Sequence, residues 1–374
     1  VIYLDNAAST QMSTRVINAM KAYMEGGYYG NPDSRHAIGL EASRMVEGAR
    51  EVVAKSIGAR PDQIVFTSGG TEANNLAIKG CSAVFAMCSE GEHDSVYQSV
   101  LDYDLHCVVK LNSYGQIDYD DLASKLDMIV VPNPLLAFTA VNNEIGTVNN
   151  ISKIVKLKPS DAWLHIDYVQ AFGQFPIDVS RHPEIDSLSI SSHKVHGPQG
   201  VGALYVKSPE RLSSILSGAK EQEFGLRPGT KNVLGIVGFG TACADVIDGA
   251  TTVSDGVTNA FVECLNNEME SRCGGEAYDI MRINGEPNPK IVNISFKGVD
   301  AETLIMALSA KGVCVSAGSA CHANTTRPSR VLKAIGVTDE DAMSTIRVSF
   351  SSNNTQADIV EAARIIAATV TAMR

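Results

Sequence analysis

A chain of 374 residues with 44% hydrophobic and 20% charged content can build a large buried core and has room for two domains, and this balance excludes a disordered protein. Acidic residues outnumber basic ones, 42 to 31, for a net charge of −11 without any Lys/Arg run, which argues against nucleic acid as the main ligand. The start, Val1-Ile2-Tyr3-Leu4-Asp5-Asn6, enters apparent fold without a charged-then-apolar leader, and no apolar span of about 18 residues follows, so a cytoplasmic protein with no membrane contact is expected. Eight cysteines show neither a CxxC pair nor Cys/His ligand spacing, so no metal site and no disulfide framework is expected.

Apolar runs at 64–67, 83–88, 106–110, 128–131, 135–141, 163–166, 188–190 and 201–206 predict strands, with helical spacing between them at 41–56, 72–79 and 151–158. That alternation predicts an α/β unit with a mostly parallel sheet. After Gly225 the pattern changes: 233–249, 260–272, 301–310 and 357–373 read as helices around strands at 291–296 and 346–350. A smaller α+β C-terminal domain is expected, with 1–15 belonging to it, 16–250 forming the large domain, and 251–374 completing the small one.

Candidate chemistry follows in chain order. Thr67-Ser68-Gly69-Gly70-Thr71-Glu72 leaves a strand and opens a helix, where free N–H groups and the Thr71 hydroxyl can hold a phosphate. It is neither a P-loop nor a GxGxxG fingerprint, and an N-capped turn explains it equally well. His93, in Glu92-His93-Asp94, lies just past the strand at 83–88. Asp167 ends a buried strand, where a lone carboxylate is costly unless it meets a cation. Lys194, in Ser191-Ser192-His193-Lys194, sits on the tight connection between strands, where it could bind a carbonyl cofactor covalently. A pyridoxal phosphate site needs such a lysine, a carboxylate at the ring nitrogen, a phosphate cup and a group stacked on the ring, and the chain has candidates for all four.

Leu4–Thr10, Gly30–His36, Thr67–Asn75, Asn142–Thr147, His165–Gln170, Ser191–Gly200 and Ser316–Cys321 occur in an order that resembles the pyridoxal-phosphate cysteine desulfurases of the class V aminotransferases, over essentially the whole chain. The resemblance implies a fold type I pyridoxal-phosphate transferase, with a large seven-stranded-type sheet and a smaller α+β domain that carries the catalytic cysteine loop. It implies that Lys194 binds the cofactor, that Asp167 pairs with its ring nitrogen, and that His93 stacks on the ring and moves protons. Gln170 and Asn143, with Asn142 as the alternative, would contact the ring oxygen or substrate. Gly70, Thr71, Ser191 and His193 would form the phosphate cup, with Thr230 reaching in from a second subunit of a homodimer. Arg347 would hold the substrate carboxylate, although Ser352 stands where many relatives have a second arginine. Cys321 would take sulfur from L-cysteine as a persulfide, releasing L-alanine, and pass it to an iron–sulfur scaffold or tRNA-thiolation protein. Selenocysteine lyase or cysteine-sulfinate desulfinase is the alternative within enzymes, and a non-catalytic docking protein for a sulfur acceptor is the alternative outside them.

Overall fold

The computed structural model describes residues 1–317 and 328–374. Seven strands form the central sheet: β1 (Ile64–Thr67), β2 (Phe85–Ser89), β3 (Leu105–Val109), β4 (Leu135–Thr139), β5 (Trp163–Asp167), β6 (Ser187–Ser191) and β7 (Gly202–Val206). Their order is β1-β7-β6-β5-β4-β2-β3. Only β7 runs against its neighbours.

Five of these strands are buried along their whole length, as expected for a sheet covered on both faces. Alternate residues serve opposite cores. Phe66, Phe138 and Ile166 pack with Val46, Val53 and Phe239 of helices Ala37–Ser56 and Val233–Ile247 on one face. Val65, Leu135 and Trp163 pack with Leu76 of helix Gly70–Gly80 on the other.

A four-stranded antiparallel sheet follows: β8 (Met281–Asn284), β9 (Ile291–Phe296), β10 (Ser316–Ala317) and β11 (Thr345–Ser349), in the order β10-β11-β9-β8. Helices Val257–Cys273 and Gln356–Met373 give it a separate core of Phe261, Leu265, Phe296, Val348, Phe350 and Ile366. Leu4 joins that core, because Ile2–Tyr3 pairs parallel with Val313–Cys314. From there the chain crosses to the large sheet, where the Thr10 N–H donates to His193 O at 2.8 Å.

The apolar run at 128–131 is not a strand. Asp118 caps helix Tyr119–Asp127 by accepting from the Asp120 and Asp121 N–H groups, and the run merely ends that helix. Met128 and Val130 are 68% and 94% exposed, so no sheet covers them. Helices Thr14–Glu25 and Asp94–Leu101 also lie outside the segments read as helical, and helix Ala37–Ser56 starts earlier than its spacing suggests because His36 caps it.

Candidate active site

Strands β1, β2, β4, β5 and β6 point their carboxyl ends the same way, and the segments that leave them enclose a cavity of about 340 Å³. Ligands of open α/β sheets bind at such an edge. Gly70 and Thr71 follow β1, His93 follows β2, Asn143 follows β4, Asp167 and Gln170 end or follow β5, and His193 and Lys194 follow β6; all line the cavity. Arg347 enters from β11 of the other sheet.

Lys194 closes a 3-10 turn, Ser192–Lys194, at the end of β6. Its Nζ donates to the carbonyls of Ala7 and Ala8, the latter at 3.0 Å, so the crossing N-terminal segment holds it. His193 stands beside it with Nδ1 2.9 Å from Ser191 Oγ. Burial, reinforced by Lys194 and Lys290, pushes the His193 imidazole down to about 4, so it is neutral at physiological pH.

Asp167 sits in a network whose donors and acceptors admit one consistent arrangement. The Trp163 Nε1–H donates to Ser187 Oγ at 3.0 Å, and that hydroxyl donates to His165 Nδ1 at 3.0 Å. His165 Nε2–H donates to Asn74 Oδ1 at 3.0 Å. The Asn74 amide nitrogen donates to Asp167 Oδ2 and to Ser95 Oγ, both at 2.8 Å. Ser95 Oγ–H donates to His93 Nδ1 at 2.8 Å, which also accepts the Ser95 N–H at 3.1 Å. His93 Nδ1 therefore carries no proton, and the neutral ring has its N–H at Nε2. Burial lowers the His93 affinity for a second proton, against the pull of Asp167. Full burial likewise pushes His165 down to about 4.

The other oxygen of Asp167 accepts from the Val169 N–H at 3.0 Å and from Ser189 Oγ at 3.4 Å. Neutral groups thus orient a carboxylate that is 4% exposed, and no ion pair reaches it among the described residues. A buried carboxylate in that position is suited to a cationic ligand group.

Helix Gly70–Gly80 begins at Gly69 without a side-chain cap, leaving N–H groups open beside the cavity. A Cβ on Gly70 would come within 2.7 Å of Val169 Cγ2, so only glycine fits against the segment after β5. Gln170 gives its amide N–H to Ala7 O at 2.8 Å, while its buried Oε1 has no partner among the described residues. These features fit pyridoxal phosphate: open N–H groups for the phosphate, a carboxylate for the ring nitrogen, an unused acceptor and a lysine for the aldehyde.

Asn143 lines the cavity, whereas Asn142 spends its amide on Gly91 O and on the N–H groups of Glu144 and Ile145. Ser191 is fully buried and reaches the cavity through His193; Thr230 is exposed and does not line it. Arg347 is 1% exposed and donates to Asn143 O at 2.6 Å and Asp5 Oδ1 at 2.9 Å, while its Nε has no partner among the described residues. Cys321 lies outside the described residues.

A description of residues 2–361 by the aminotransferase class-V family model decides the lineage. The chain belongs to the class-V aminotransferases. Within that family, whose members use pyridoxal phosphate, it is 37% identical to the cysteine desulfurase IscS of Dictyoglomus turgidum, over 96% of this chain and 91% of that one. Among solved structures it resembles a NifS-like protein from Rickettsia africae (30% identity, TM-score 0.81, 98% and 99% of the two chains covered). It also resembles SspA in complex with cysteine (31% identity, TM-score 0.77, 95% and 100% covered).

Three residues that the sequence motifs do not single out join this class-V site. Asn74 links Asp167 to His93 through Ser95. Glu92 is 1% exposed, accepts from Ser89 Oγ at 2.6 Å, and leaves Oε2 without a partner among the described residues. Burial raises its carboxyl to about 8, so it is protonated at neutral pH. Arg330 donates to the carbonyls of Glu90 and Glu92, the latter at 2.7 Å, and stacks over Tyr97 at 3.7 Å, holding the backbone that leads into His93. Each has ordinary neighbours in sequence, and only the meeting of distant strands reveals it.

Proposed function

We propose that the protein is a pyridoxal-phosphate-dependent cysteine desulfurase, with Lys194, Asp167, His93 and Arg347 as its working groups in the cavity. The observation that carries this reading is Asp167: a buried carboxylate, oriented by Asn74 and Val169, with Lys194 and His93 in the same cavity. When bound, pyridoxal phosphate supplies an electron sink for negative charge at the substrate α-carbon.

The chain's own groups do the rest. Lys194 Nζ takes and returns the α-proton, and the carbonyls of Ala7 and Ala8 fix its starting position. His93 presents an N–H at Nε2 and is kept neutral, so it can donate a hydrogen bond over the ring without adding charge there. Arg347 offers the remaining N–H donors of its guanidinium to the substrate carboxylate. The thiolate of Cys321 attacks the substrate sulfur; the C–S bond breaks, its electrons stay with carbon, and a proton completes alanine. The persulfide then goes to an acceptor protein, an iron–sulfur scaffold or a tRNA-thiolation protein. Exposed Thr230 supports a homodimer in which it completes the phosphate cup of the other copy, and we place the enzyme in the cytoplasm.

The test is alanine and persulfide formation from cysteine, selenocysteine and cysteine sulfinate. Alanine from cysteine, with the label trapped on Cys321, supports the reading; alanine from selenocysteine or the sulfinate alone overturns it. Cys321→Ala should keep the visible cofactor band and lose persulfide, whereas Lys194→Ala should lose the covalently attached cofactor.

A further inference from the structure

The mechanism above makes no use of the buried ammonium of Lys290. Lys290 lies on the turn between β8 and β9 and is 6% exposed. Its backbone is tightly held: its N–H donates to Asn288 Oδ1 at 2.8 Å, and its carbonyl accepts from the Phe350 N–H at 2.8 Å. Asn288 in turn donates to Gly146 O at 2.7 Å, tying the turn to the segment after β4. From this fixed base the side chain crosses to the large sheet, where Nζ donates to the carbonyl of Lys194 at 3.1 Å.

No carboxylate pairs with Lys290 among the described residues. The titratable groups that feel its charge are His193 on the Lys194 turn and His196 just after it; Asp245, which pairs with Arg15, acts on His196 from helix Val233–Ile247. A buried ammonium with no counter-ion is an expensive way to satisfy one carbonyl, since glutamine or an ordered water could do the same. The charge itself is therefore the feature to explain.

We propose that Lys290 is a positioning residue for Lys194: its ammonium anchors the Lys194 carbonyl to the C-terminal sheet and supplies a fixed positive charge beneath the cofactor lysine. This rests on Lys194 being the cofactor lysine. The anchor keeps the 3-10 turn Ser192–Lys194 in register with Ala7 and Ala8 on its other side. The charge adds to burial and to Lys194 in keeping His193 neutral, and it disfavours a proton on the bond that Lys194 makes with the cofactor, so that bond titrates at lower pH than it otherwise would.

Three variants separate anchor from charge. Lys290→Arg keeps both, Lys290→Gln keeps a donor without charge, and Lys290→Met removes both. The midpoint of the pH-dependent change in the visible cofactor band should rise by about half a unit or more in the glutamine and methionine variants and stay near wild type in the arginine variant. The methionine variant should also lose roughly tenfold in kcat with KM little changed, because the lysine and not the substrate site is displaced.

Cofactor-free protein provides a second readout. Burial lowers the Lys290 ammonium to about 8, while an unfolded lysine titrates near 10.4. Between those values the unfolded chain binds the extra proton, so wild type should gain thermal stability relative to Lys290→Met as pH rises from about 7.5 to 10. An unchanged band midpoint and kcat in both Lys290→Met and Lys290→Gln would overturn the proposal while leaving the assignment of Lys194 intact. A wild-type protein that forms no covalent cofactor adduct, or a Lys194→Ala variant that still forms one, would instead overturn the reading beneath it.

Discussion

Asn74 shows how one neutral side chain can fix the protonation of several others. Its amide oxygen requires the proton of His165 on Nε2, and its amide nitrogen requires an unprotonated oxygen on Asp167. Replacing Asn74 by leucine should leave three buried polar groups short of a partner and cost about 1–3 kcal/mol for each one that cannot find water. Denaturant unfolding and cofactor titration should show both lower stability and at least tenfold weaker retention of the cofactor. Buried His165 adds an acid limit. Its folded value of about 4 lies below the value of about 6.5 for an unfolded histidine, so the unfolded state binds more protons between them. Stability should therefore fall as pH drops from 6.5 towards 4, and His165→Asn should flatten that fall. In the sequence, Lys194, Asp167 and His93 could be found because each follows an apolar run and carries chemistry. Asn74 lies inside the Thr67–Asn75 motif, but its part could not be read there, because its partners Ser95, His165 and Asp167 come from beyond β2 and from β5.

Local elements were legible where burial was uniform. The runs that become β1, β4, β5 and β7 are apolar because both faces are covered, and a continuous apolar run is visible without knowing its neighbours. The run at 128–131 looked the same and proved to be an exposed helix end, since apolarity alone does not say whether a sheet is present to cover it. The segment Gln222–Gly225 leads towards Thr230 and contains Glu223 and Phe224 at φ values of 43° and 59°, a left-handed conformation that side chains resist. A buried ion pair holds it there: Arg50 meets Glu223 at 2.7 Å, and Glu223 also accepts the Phe66 N–H at 2.8 Å. Glu223→Ala should cost about 3–5 kcal/mol by leaving the Arg50 charge buried with the half-exposed Glu47 as its remaining carboxylate and the Ile64 carbonyl as its other acceptor. If Thr230 serves the second copy's phosphate cup, the same variant should also raise the dimer dissociation constant, which sedimentation would measure.

Across the whole molecule, the site is assembled from two sheets and the segment that crosses between them. Arg347 comes from β11, Arg330 from helix Arg330–Ala334, Lys290 from the turn before β9, and Ala7 and Ala8 from the N-terminal crossing, while the remaining groups stand at the carboxyl edge of the large sheet. The C-terminal shift to an α+β pattern was readable as a change in spacing, and residues 1–15, with Leu4, were expected to go with that domain; the strand Ile2–Tyr3 itself was not readable, because two residues carry too little pattern. Deleting residues 1–9 should remove the acceptors of Lys194 and the partner of Gln170 and uncover the pocket that holds Leu4. The expected outcome is a lower melting temperature together with loss of covalent cofactor, read by scanning calorimetry and absorbance.

The crossing segment also sets an order of events during synthesis. Ile2 and Tyr3 have no strand to join until Val313 and Cys314 exist, and the Leu4 carbonyl waits for the Ser349 N–H that binds it at 2.7 Å. The large sheet can form while the ribosome is still working. The crossing segment can meet that sheet early through Thr10 and Gln170, but its first residues, Ile2–Leu4, are among the last to be placed. With Lys194 proposed as the cofactor lysine, a chain truncated before Thr345 should hold residues 2–4 less firmly and retain less covalent cofactor than the full chain.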